Sequence, residues 1–112
     1  MDKISQYFVD KQHCSSHQIF PGVKIHTAAA EKMMLSLVEF EPGAVVEEHS
    51  HEHEQVGILI SGELEFFIGD QRQVLKPGQM WRIPGGVVHR VIAGKEPAVA
   101  LDVFSPIRED YL

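Results

Sequence analysis

Short apolar runs separated by turn residues fill the chain after residue 40. Pro42-Gly43, Pro77-Gly78 and Pro84-Gly85-Gly86 are strong turn signals, and Ser61-Gly62, Gly69-Asp70 and Gly94-Lys95 add more. The runs between them are rich in Val, Ile, Leu and Phe. They predict strands over 23–27, 33–41, 45–51, 55–61, 63–68, 71–75, 79–83, 88–92 and 98–104. A short helix is predicted over 3–11. Many short strands at close spacing predict an all-β sandwich or barrel. Nothing in the pattern marks a repeat or a linker, so residues 1–112 read as one domain.

Two strands carry more information than the rest. In 33–41, Met33, Leu35 and Leu37 alternate with Met34, Ser36, Val38 and Phe40, so both faces are largely apolar. That predicts a strand covered on both sides. In 98–104, Ala98, Ala100, Asp102 and Phe104 share one face, with Val99, Leu101 and Val103 on the other. Asp102 is then a carboxylate in the middle of an apolar strand. Asp is depleted in strands and costly to bury unpaired, so it needs a partner or a task.

Composition narrows the class of function. The chain has 112 residues, 44% hydrophobic and 23% charged, which is ordinary for a folded domain and excludes overall disorder. No apolar run approaches the roughly 20 residues of a membrane helix, so no membrane partner is expected. The net charge of −6 argues against nucleic acid, whose phosphates need a basic face. The one cysteine, Cys14, excludes an intramolecular disulfide and fits a reducing compartment. Its neighbours do not mark it as a nucleophile, so it reads as a plain free thiol. The start, Met1-Asp2-Lys3-Ile4-Ser5, lacks a basic-then-apolar export signal, and a cytoplasmic protein is expected.

The unusual feature is histidine: seven in the chain, with His49, His51 and His53 within five residues. On a strand, a spacing of two puts His49 and His51 on one face, as two ligands of one metal require. His53 has the same parity but falls in a turn, where a solvated side chain is expected. A solvated acidic hairpin, Glu47 to Glu54, is the alternative reading of the whole stretch.

Longer spacing distinguishes the two. Gly43, five residues, His49, one residue, His51, three residues, Gln55, six residues and Gly62 form one block. Fifteen residues on, Gly78, five residues, Pro84, one residue, Gly86, two residues and His89 form a second. These blocks, within 43–89, resemble the two motifs of the cupin family. The resemblance implies a single-domain jelly-roll β-barrel with metal ligands at His49, His51, His89 and Gln55. It also implies a homodimer, for which the two-faced strand 33–41 is a candidate interface. Three histidines and one amide oxygen leave positions open, as a working site does. Such ligands suit Zn, Ni, Fe, Mn or Co alike. Arg90 has the wrong parity to face the interior. Two positions depart from the family pattern: Gln55 stands where a glutamate is usual, and Ala93 where an asparagine is. Glu54 lies next to Gln55, but a shift of one residue turns it to the other face. A neutral Gln55 leaves the charge of the metal uncompensated, which strengthens it as a Lewis acid and weakens the case for a dioxygenase.

The ending from Leu101 to Leu112 resembles KdgF-type pectin-degradation cupins, which also carry glutamine at the position of Gln55. That resemblance implies a small sugar-acid substrate, a 4,5-unsaturated monouronate, opened to the linear 4-deoxy-5-keto uronate. Opening releases charge on the ring oxygen, which a Lewis-acidic metal stabilises. Asp102 is the candidate acid or base, and Arg108 the candidate clamp on the substrate carboxylate. An Asp102–Arg108 pair that pins the tail is the structural alternative. Phe104, on the face of Asp102, either walls the sugar pocket or packs in the core. Two other classes fit the motifs: another metal-dependent cupin enzyme, such as a sugar isomerase or dioxygenase, and a non-catalytic cupin that binds a small ligand.

Overall fold

A computed structural model describes residues 5–112. Ten strands follow one another: β1 Ser15–Phe20, β2 Val23–Ala29, β3 Met34–Phe40, β4 Val45–His49, β5 Glu54–Ser61, β6 Leu64–Ile68, β7 Gln71–Leu75, β8 Met80–Ile83, β9 His89–Ala93 and β10 Ala98–Ser105. They form two antiparallel sheets, one of six strands in the order β1-β2-β3-β10-β5-β8 and one of four in the order β4-β9-β6-β7. The barrel expected from the sequence is thus two facing sheets, not one continuous hydrogen-bonded ring. No helix among the described residues is long and apolar enough to cross a membrane.

The inner faces interleave as period-two alternation requires. Val23, Ile25, Leu59, Leu64 and Ile83 are at most 1% exposed and form the centre of the core. In β10 every second residue from Ala98 to Phe104 is buried, which places Asp102 inward as its parity predicts.

The structure corrects several expectations. β1 was not anticipated, because Ser15-Ser16-His17-Gln18 lacks an apolar alternation. As the edge of its sheet it is held by backbone pairing with β2. The helix expected over 3–11 does not form within the described residues; Lys3 and Ile4 lie outside them, and the one helical turn that overlaps this range is Lys11–His13. Tyr7 and Phe8 are 80% and 83% exposed, so an isolated short helix would have had no buried face to stabilise it. Lys11 is instead fastened to β3, donating to Glu39 at 2.9 Å, while Glu39 also meets His26 at 2.6 Å. Strand 45–51 ends at His49, two residues early. Finally, β3 is covered on one side only: Met34, Ser36, Val38 and Phe40 are buried, whereas Met33 and Leu35 are about half exposed.

Candidate metal centre

The three motif histidines meet at one end of the space between the sheets. His49 closes β4 and is the cross-strand partner of His89, which opens β9. His51 sits not on the strand but in the loop after it. The second motif block fixes that loop: the Gly86 amide donates to the His51 carbonyl at 2.8 Å. A Cβ on Gly85 would fall 2.3 Å from the Glu52 carbonyl oxygen, so only glycine allows the turn to lie this close. Through this contact Pro84-Gly85-Gly86 positions His51. One candidate ligand nitrogen from each of His49, His51 and His89 lies within 4.8 Å of the others.

The hydrogen bonds decide which nitrogens are free. Each Nδ1 faces a backbone carbonyl: His49 that of Glu47 at 2.8 Å, His51 that of His53 at 3.0 Å, and His89 that of Val87 at 2.9 Å. A carbonyl only accepts, so each Nδ1 carries the hydrogen, and a neutral ring then has a bare Nε2 lone pair. The Nε2 of His89 is buried without a partner among the described residues. Burial drives the His89 imidazole down to about 4 and also lowers that of His51, where the Arg108 guanidinium adds to the effect. Both rings therefore favour the neutral form that binds metal.

Gln55 enters from the opposite sheet, on β5, and is buried. Its Nε2 donates to Oδ1 of Asp102 at 2.9 Å. With the amide so oriented, Oε1 turns to the Nε2 of His51, 3.2 Å away. In the neutral tautomer these are two lone-pair atoms facing one another, an arrangement that a bound cation would relieve. Three bare imidazole nitrogens and one amide oxygen are a donor set that fits a divalent transition metal. Asp102 also explains why the position holds glutamine: a glutamate here would set one carboxylate against another.

Asp102 belongs to a row that runs straight across the six-stranded sheet. Thr27, Ser36, Asp102, Gly57 and Trp81 are successive cross-strand partners from β2 to β8. Trp81 Nε1 reaches over Gly57 and donates to Asp102 Oδ1 at 2.8 Å. The indole lies where a side chain on residue 57 would stand, since a Cβ there would meet its Cε2 and Nε1 at 2.4 Å. Oδ1 thus accepts two N–H groups, and Oδ2 has no partner among the described residues. Burial raises the Asp102 carboxyl to about 6, against the opposing pull of those two bonds.

Arg108 lines the same pocket as His49, Gln55, His89 and Asp102. It is not paired with Asp102, so the expected alternative of an Asp102–Arg108 tether is not what the structure shows. Its Nε and Nη2 hold Asp110 side-on at 3.3 and 2.9 Å. The guanidinium lies over the Tyr111 ring at 4.1 Å and the Phe104 ring at 5.5 Å. The end-on pair of donors, Nη1 with the second hydrogen of Nη2, is not used by Asp110. Phe104 is buried, with His51 against it at 5.7 Å and Tyr111 at 5.8 Å, and so packs beside the pocket. His53 is not the solvated residue expected: it is partly buried, and its Nδ1 is enclosed without a partner. Arg90 points outward onto Phe67, at 4.2 Å, as its parity predicted.

The cupin-domain family profile (Cupin_2) matches residues 36–104, which include both histidine blocks and Asp102. The chain belongs to the cupin family. The pectin degradation protein KdgF of Dickeya dadantii (strain 3937) is 28% identical to this cupin over 109 residues, 96% of this chain and 98% of that protein. The structure of KdgF from Halomonas sp. superposes with a TM-score of 0.85 at 29% identity, covering 97% of this chain and all of that one. An RmlC-like cupin from Shewanella frigidimarina superposes with a TM-score of 0.87 at 27% identity, covering 96% of this chain and 97% of that one. Sequence reasoning missed two residues of this cupin's site, Gly57 and Trp81. A lone glycine inside the apolar run 54–61 is a sign of close approach that could have marked the first.

Proposed function

We propose that this cupin is a metal-dependent enzyme that opens 4,5-unsaturated monouronates to linear 4-deoxy-5-keto uronates. The two KdgF relatives, one of them a pectin degradation protein, support the substrate class. The observation that carries the reading is a buried carboxyl beside a candidate cation site: Asp102, with one oxygen fixed by two donors and the other without a partner among the described residues, in the pocket that His49, Gln55 and His89 line.

His49, His51, His89 and Gln55 would hold the metal, which supplies Lewis acidity toward the substrate oxygens. The chain's own residues account for the rest. Opening removes the proton of the anomeric hydroxyl, breaks the bond from the anomeric carbon to the ring oxygen, and leaves an aldehyde and an enolate. The enolate takes one proton on carbon and becomes the ketone, so one proton leaves the anomeric oxygen and one arrives on carbon. Asp102 is suited to both transfers. Because Oδ1 accepts from Gln55 and Trp81, a proton on the carboxyl sits on Oδ2. A carboxyl near 6 gives and takes that proton readily at neutral pH. The end-on fork of Arg108 receives the substrate carboxylate in two parallel hydrogen bonds, with Phe104 as the adjoining wall. A homodimer that buries the outer face of the six-stranded sheet, where Leu35 and Met80 are exposed, accompanies this proposal.

The test is direct. Metal-loaded protein should speed the loss of ultraviolet absorbance of monouronates released by pectin or alginate lyases, and metal-stripped protein should not. No acceleration by fully loaded protein would overturn the reading in favour of a cupin that only binds a small ligand.

A further inference from the structure

Among the described residues, Ser36 is the one fully buried polar side chain lining the pocket that the proposed chemistry leaves without a role. It is 1% exposed, and its hydroxyl has no hydrogen-bond partner among the described residues. Burying an unsatisfied hydroxyl costs free energy, so a partner is expected where none is seen in the protein. The environment shows what that partner is. Ser36 lines the same pocket as Asp102 and is its direct cross-strand neighbour. Such neighbours have Cβ atoms about 4.5–5.5 Å apart, a gap that a single bridging water spans. The Asp102 oxygen on offer is Oδ2, since Oδ1 already accepts from Gln55 and Trp81. The pocket has about 40 Å³ of free volume. A water needs roughly 10–15 Å³ and at least two polar partners, and both conditions are met here.

We propose that Ser36 is a positioning residue of this site: with Oδ2 of Asp102 it holds one water on the pocket floor, and that water keeps the carboxyl aimed at the bound sugar acid. The inference rests on the function proposed above for its last clause; the water site stands without it. Ser36 touches neither substrate nor metal. It acts through the water on a carboxyl whose other oxygen is already fixed from β5 and β8, so that both oxygens of Asp102 are held from within its own sheet.

Ser36→Ala tests this with three readouts. A high-resolution crystal structure of wild-type protein should show a water within hydrogen-bond distance of Ser36 Oγ and an Asp102 oxygen, and the variant should lack it. Melting should show the variant folded and close to wild type in stability, because the only hydrogen bond it loses is one to water. Turnover should fall about tenfold with KM and metal content unchanged, the worth of one lost hydrogen bond in the transition state. A dry floor in wild type overturns the proposal, as does a variant that melts lower and turns over at the wild-type rate. If wild type turns over no unsaturated uronate, the function fails separately, and the crystallographic result still decides the water site.

Discussion

The two sheets face one pocket and furnish opposite chemistry. The four-stranded sheet and the loop that follows its β4 bring nitrogen lone pairs, on His49, His51 and His89, each turned inward by a backbone carbonyl behind it. The six-stranded sheet brings oxygen, through Gln55, Ser36 and Asp102. Gln55 joins the halves, with its N–H on Asp102 and its carbonyl oxygen toward His51. The two sides divide cleanly: one sheet gathers nitrogens close enough to hold a cation, and the other surrounds one buried carboxyl group beside them.

The largest expected effect breaks the nitrogen side. His89→Ala removes one of the proposed ligands, itself buried, so metal affinity should fall by more than a hundredfold, beyond what loss of an outer-sphere partner costs. Elemental analysis after dialysis reads this, with circular dichroism as the check that the sheets persist. Next is the joint itself. Gln55→Glu keeps an oxygen ligand but sets a carboxylate where Gln55 Nε2 lies 2.9 Å from Asp102, and two such groups cannot both ionise. Metal should remain bound while turnover drops by roughly a hundredfold, because Asp102 no longer exchanges its proton near neutrality. Unchanged turnover would mean that Asp102 is not the proton carrier.

Gly57→Ala acts on the oxygen side alone. Its Cβ would occupy the place of the indole, so Trp81 must swing away and give up its bond to Asp102. A buried hydrogen bond lost in this way costs about 1–3 kcal/mol. Thermal melting measures it, and Trp81, the sole tryptophan, should report the move in its fluorescence.

Acid separates the sheets more gently. In metal-free protein His89 has its pKa depressed to about 4, from 6.5 when unfolded, so its contribution is full above 6.5 and is lost as pH falls toward 4. Asp102 runs the other way: its pKa is raised to about 6 from 3.8, so the folded state gains stability as pH falls through that window. Asp102→Asn abolishes the gain. The variant should melt higher than wild type at pH 7, and its advantage should shrink toward pH 4. A difference that stays constant across this range would contradict the raised Asp102 carboxyl.

The sequence exposed one side of this comparison far better than the other. His49, His51 and His89 stand at spacings set by one turn and one strand pairing, which local glycine and proline residues mark. Asp102 was visible as a charge in an apolar strand. The partners of Asp102 were not visible, because they come from 47 and 21 residues away along the chain, through sheet register. Ser36 and Gly57 acquire their meaning only from the row they share. The strand β1 stayed hidden for a related reason, since backbone pairing at a sheet edge leaves little trace in side-chain pattern. The placement of Arg108 was legible, but not that Asp110 would take one side of its guanidinium.

The most direct test of the division between the sheets measures bound metal and turnover together in His89→Ala and Asp102→Asn. The account predicts that His89→Ala loses both. It predicts that Asp102→Asn keeps wild-type metal content while turnover on unsaturated monouronates falls by roughly a hundredfold or more. An Asp102→Asn protein that loses metal and turnover in parallel, or keeps both, would contradict it.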